Sequence, residues 1–118
     1  MSKYPFPIPT PWGEADTWTT ITPGIVRVCT PSHGGYHLAP HMQDKVPGYM
    51  RHPGDSFGAQ RAAGWYEEDV DWSIVALVFP QFFPAEALDQ ARGILRAFRP
   101  AMLERWDAAH GKAVAHAS

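Results

Sequence analysis

The sequence predicts an α+β fold, a small antiparallel sheet of about three strands packed against three helices. Three observations carry that expectation. The dipeptide Pro23-Gly24 separates two runs rich in β-branched residues. Apolar residues recur at three- and four-residue spacing between Ala87 and Phe98. Twelve prolines and ten glycines stand beside five tryptophans, which implies short elements, many turns and loops pinned by aromatic packing.

The elements follow in order. Pro5, Pro7, Pro9 and Pro11 alternate with Tyr4, Phe6, Ile8 and Thr10, which predicts an extended or polyproline II arm over residues 1–11. Packing of that arm on its own domain is the plainer reading, and docking in another protein's aromatic groove the sharper one. Residues 16–22 and 25–30 read as a hairpin around Pro23-Gly24. Tyr36 and Leu38 alternate with His37, so 35–39 predicts a third strand, entered through a turn of Pro31 and the run Ser32-His33-Gly34-Gly35. From Pro40 to Gly64 the periodicity weakens, with one helical turn expected at 41–45 and a short helix at 56–63. Carboxylates at Glu67, Glu68, Asp69 and Asp71 precede the apolar run 73–79, and acids oppose the positive end of a helix dipole, so a central helix is expected over 67–79. A second helix opens after Pro84. Pro100 forces a break near Arg99, and a third helix follows over 101–109 with Met102, Leu103 and Trp106 inward. Residues 111–118 form a frayed tail.

A length of 118 residues bounds the chain to a single domain, 1–118, with enough apolar content for a core. No apolar stretch approaches the roughly 20 residues of a membrane helix. The N-terminal segment has no apolar signal core, and the single Cys29 suits a reducing compartment, so a cytoplasmic protein is expected. A net charge of −2 gives no footprint for direct nucleic-acid binding.

Candidate chemistry is sparse. His33, His37 and His41 are four residues apart, but Gly34, Gly35 and Pro40 oppose the helix that would align them. A solvated or hydrogen-bonded histidine set is therefore preferred over a metal site completed by Glu67 or Glu68. The His33-Gly34-Gly35 run has the form of an oxyanion loop, yet the Gly-x-Ser-x-Gly elbow that would partner it does not occur. Cys29, within an apolar strand pattern, reads as a buried inert thiol more readily than as a nucleophile beside His33 or His37. No catalytic residue, metal or cofactor is assigned. The sharper candidate is an interaction patch of Trp65, Tyr66, Glu67, Glu68, Asp69 and Asp71, in which dense acid lies beside aromatic anchors. Helix-start electrostatics explain the same acids. A second candidate surface is the basic stripe Arg92, Arg96 and Arg99, which a solvated helix face also explains.

Three strings stand together: Thr10-Pro11-Trp12-Gly13, the run Thr30-Pro31-Ser32-His33-Gly34-Gly35, and Gly64-Trp65-Tyr66-Glu67-Glu68-Asp69 with the segment from Trp72 to Pro80. Their order and spacing resemble an uncharacterised domain family carried by phages, prophages and plasmids of proteobacteria. That resemblance spans roughly Thr10 to Trp106 and implies a mobile-element accessory protein. A short stand-alone member is similar to anti-CRISPR proteins, which act by binding the effector complex. The resemblance thus implies an inhibitor that binds a protein subunit of a host CRISPR effector (Cascade-type) and blocks its action on target DNA, in the host cytoplasm. The alternative is a small metal-dependent or hydrolytic enzyme using His33, His37 and the Glu67/Glu68/Asp69 group.

Overall fold

The structure, a computed structural model, describes residues 8–51 and 58–110. Most of the proline-rich arm, the start of the short helix expected from Ser56 and the tail 111–118 lie outside the described residues. Two antiparallel sheets organise the fold. The smaller pairs β1 (Ile8–Thr10) with β2 (Gly13–Ala15). The larger has four strands in sequence order: β3 (Thr17–Thr22), β4 (Ile25–Cys29), β5 (Gly34–Leu38) and β6 (Trp65–Glu67). The expected hairpin is β3–β4, with Gly24 at a φ of +98° in its turn, a conformation open to glycine. The sheet has one strand more than expected, and the additional two-stranded sheet takes up residues 8–10 of the arm.

Period-2 alternation gives the larger sheet two different faces. Ile25, Leu38 and Tyr66 point to one side, where they pack under the helices with Val46, Met50, Ile74, Val75, Phe79, Leu95 and Leu103. Val26 and Val28 point to the other, where Ala15, Trp12, Trp18 and Trp65 close a second, smaller core. The β1–β2 hairpin therefore covers the sheet's back while the helices cover its front.

The connection between β5 and β6 carries three short helices, α1 (Pro40–Gln43), α2 (Gly48–Arg51) and α3 (Gly58–Ala62). A buried polar network pins it. Tyr66 Oη–H donates to Gln43 Oε1 at 2.7 Å, and the Gln43 amide donates to the Arg61 carbonyl at 2.5 Å. Arg61 Nε–H donates to the Met50 carbonyl at 2.7 Å, and its Nη1 reaches both Asp71 carboxylate oxygens at 3.2 and 3.3 Å. Arg61 and Asp71 are 1% and 0% exposed, so these bonds are made without competing water.

The helix expected over 67–79 is shorter and later. Trp65–Glu67 is a strand, residues 68–71 turn, and α4 runs Trp72–Val78. Gly64, at a φ of +95°, redirects the chain from α3 into β6, and Trp65 and Tyr66 then fall on opposite faces of the sheet. The acids do serve the helix start, but from upstream. Glu67 accepts the backbone N–H groups of Asp69, Val70 and Asp71 at 2.6, 2.7 and 3.0 Å. Pro80–Phe82 forms a 3₁₀ turn, followed by α5 (Ala85–Phe98) and α6 (Pro100–Ala109), which lie where periodicity and Pro100 put them. Arg92 ties α5 to α6 through a bidentate pair with Asp107 at 3.1 and 2.6 Å.

Candidate functional site

The three strings meet in space. Thr10 Oγ1 donates to the Gly13 carbonyl at 2.6 Å and accepts the Trp12 N–H at 3.0 Å, making the tight turn that lays Trp12 across the sheet's back. Trp12 Nε1–H donates to Gln60 Oε1 at 3.1 Å, and its ring meets Trp65 edge-on at 5.7 Å. Thr30 caps its loop reciprocally, donating from Oγ1 to the His33 carbonyl at 2.7 Å and accepting the His33 N–H at 3.0 Å. Gly35 then pairs with Glu67 across β5 and β6. A Cβ on Gly35 would stand 2.5 Å from both the Trp12 ring and the Tyr66 carbonyl, so the glycine is what permits the close approach. Thr30, Gly35, Trp12 and Glu67 thus have structural duties. His33 and Glu68, both about half exposed with Nδ1 and Oε2 3.9 Å apart, do not.

Beside that pair, on the front of the sheet, lies an open groove of about 290 Å³. Its floor is Gly34, Gly35 and Tyr36 of β5 with Arg27 of β4, and its walls are Glu68, Trp72 and Gln90. Arg27 and Tyr36 are cross-strand partners, and alternation puts both on the side of Ile25 and Leu38, where the Tyr36 ring also packs 5.7 Å from that of Phe83. Burial pushes the Tyr36 phenol above its ordinary value, the Arg27 guanidinium pulling against that. Tyr36 is therefore a hydrogen-bond donor throughout the neutral range. Glu68 and Arg27 line the same groove, and among the described residues Arg27 makes no ion pair.

The expected acidic patch is not one surface. Tyr66 is fully buried, Asp71 is spent on Arg61, and Glu67, 5% exposed, holds the turn. Strand alternation and the following turn split the segment, leaving Glu68 and Asp69 exposed and Trp65 half-buried on the back of the sheet. The basic stripe is also divided: Arg92 is held by Asp107, Arg99 Nη1 donates to the Phe98 carbonyl at 2.9 Å, and Arg96 is exposed. Cys29 ends its strand half-buried rather than sealed in the core. His37 lies on the back face, its ring 4.4 Å from that of Trp65, so the sheet separates it from His33. Among the described residues no three His, Cys, Asp or Glu side chains gather as a metal site, and no helix is long and apolar enough to cross a membrane.

Sequence reasoning missed Arg27, Tyr36 and Gln90 as site residues. The legible signal was Arg27, a charge that shares the face of Ile25 in Ile25-Val26-Arg27-Val28-Cys29. Nothing in the sequence pairs it with Gln90, 63 positions on in the chain.

Burial lowers the His37 pKa below its ordinary 6.5. The unfolded chain then takes up a proton before the folded one does, so this contribution to stability is complete above about pH 6.5 and is lost as pH falls. The difference in melting temperature between the parent and His37→Gln should accordingly shrink from pH 7.5 to pH 5.5, as read by circular dichroism.

Fold and groove define a small α+β domain with a mixed-charge groove open on its helix-covered sheet face. The chain belongs to DUF7007, a family described as a domain of unknown function, whose model matches residues 5–118. No curated protein and no solved structure matches it.

Proposed function

We propose that this chain is a binding protein of mobile genetic elements, an anti-CRISPR inhibitor that docks on a protein subunit of a Cascade-type effector and keeps the complex from acting on target DNA in the host cytoplasm. The observation that carries the binding reading is the groove itself, which sets exposed opposite charges, a phenol, an amide and an indole side by side. Such residue types suit a protein contact with polar specificity and aromatic anchoring. Two of the three strings that resemble a phage and plasmid family line this groove, through Gly34 and Gly35 and through Glu68 and Trp72, and the resemblance itself supports the mobile-element setting. The groove replaces the acidic patch as the contact, because Tyr66, Glu67 and Asp71 are turned inward.

The test is plasmid interference in hosts carrying active Cascade-type systems. Expression of the chain should restore transformation by a targeted plasmid, and Arg27→Glu with Glu68→Lys should abolish the rescue while the melting temperature holds. Absence of rescue across such hosts would remove the inhibitor reading, and full rescue by the variant would remove the groove from it.

One observation favours a second reading, a small hydrolytic or metal-dependent enzyme: His33 and Glu68 come together at the groove. Glu68 would orient His33 as a general base toward a substrate lying on Tyr36 and Trp72. His37, Glu67 and Asp69 do not join them. Stoichiometric zinc, iron or manganese in the purified protein would favour this reading over the first.

A further inference from the structure

We infer that the groove recognises an acidic and a basic side chain presented side by side on a partner polypeptide, the carboxylate seated on Arg27, Tyr36 and Gln90 and the cation between Trp72 and Glu68. This inference rests on the reading of the groove as a protein contact and specifies its chemistry.

Arg27 and Glu68 line one groove, yet they do not pair with each other within 4 Å, and Arg27 pairs with no other described acid. A phosphate-bearing ligand would bring its charge against Glu68, and a purely cationic one would meet Arg27. A ligand with both signs satisfies both walls, and each misplaced like charge is penalised, which is how charge patterns set register and partner choice. Donors cluster on the Arg27 side. The guanidinium offers a fork suited to a carboxylate, and Tyr36 beside it, protonated at neutral pH, offers an O–H. No described group accepts a bond from Tyr36 Oη or from the Gln90 amide. On the Glu68 side, the Trp72 indole gives the flat apolar wall along which a Lys or Arg stem lies, with its charge over the ring face or on the carboxylate.

Size limits the occupant further. About 290 Å³ is at the lower bound of cavities that hold small molecules, and this one is partly open to solvent. It accommodates two side chains rather than a nucleotide or a cofactor. His33 borders the groove beside Glu68, with Nδ1 and Oε2 3.9 Å apart.

The test is an amide NMR titration of the whole chain with four capped pentapeptides: one with Asp and Lys two positions apart, one with Asn for Asp, one with norleucine for Lys, and one with both replacements. Free glutamate and free lysine are titrated separately. The Asp/Lys peptide should shift Gly34, Gly35, Tyr36 and the Trp72 indole, and each single replacement should weaken binding at least fivefold. Arg27→Gln should erase the preference for Asp over Asn, and Glu68→Gln the preference for Lys over norleucine. Both side chains are exposed, so the variants should fold, and unchanged melting curves would establish it. Equal binding of all four peptides, shifts confined to other residues, or preferences that survive both substitutions would overturn the inference. Free glutamate binding as tightly as the Asp/Lys peptide would also overturn it, assigning the groove to a metabolite. Selective peptide binding without relief of CRISPR interference would leave the groove chemistry standing and remove only the proposed host target.

Discussion

Replacing Asp71 with Ala is expected to cost about 3–5 kcal/mol, the range for breaking a buried ion pair from one side. Arg61 is 1% exposed, and its guanidinium would keep the Met50 carbonyl while losing both carboxylate oxygens. Its charge would then lose the buried carboxylate that faces it, where water does not reach. The damage should spread, because the Arg61 carbonyl accepts from Gln43 and Gln43 accepts from Tyr66. Those links hold α1, α3, β6 and the start of α4 together. Domains of this size have only about 5–15 kcal/mol in hand, so the variant should be close to unfolding at 37 °C. Urea denaturation measures the loss. The double variant Arg61→Met with Asp71→Ala should recover part of it, since it removes the guanidinium together with the carboxylate that faces it. Purely additive losses would argue against coupling.

Glu67→Ala is the second large effect, at about 2–4 kcal/mol. Three backbone N–H groups lose a charged acceptor at once, and hydrogen bonds to charged groups contribute about 1.5–3 kcal/mol each. Water recovers part of that because the turn borders the surface. Glu67→Gln keeps one acceptor oxygen and should lose roughly half as much. Amide hydrogen exchange should localise the change to residues 69–71 and the first turn of α4.

These two residues also show what the sequence could and could not convey. The β3–β4 hairpin was legible because Pro23-Gly24 marks a turn between β-branched runs. The helices α5 and α6 were legible from their spacing and from Pro100. The strand β6 was not, since three residues are too few to display a period, and its acids fit a helix start equally well. Glu67 does stabilise that start, but from the strand before it, through its side chain rather than through helix-dipole electrostatics alone. Arg61 gave no signal, because an arginine in a weakly periodic segment reads as surface until its acid and carbonyl partners are placed. The candidate site suffered from the same cause. Residues 65–71 are contiguous in sequence, but alternation sends Tyr66 inward and the turn consumes Glu67 and Asp71. The groove's charge instead comes from Arg27 on β4 and from Glu68, brought together only by the order of the strands.

The most direct test of this division between fold and function compares two adjacent carboxylates. Glu67→Gln and Glu68→Gln are each followed by thermal melting and by the Asp/Lys peptide titration at a temperature where both are folded. Glu67→Gln should lower the melting temperature by several degrees and leave peptide affinity within twofold of the parent. Glu68→Gln should leave melting unchanged and weaken the peptide at least fivefold. If Glu68→Gln melts as early as Glu67→Gln, or binds the peptide as the parent does, Glu68 belongs to the fold or to nothing, and the groove is not the functional surface.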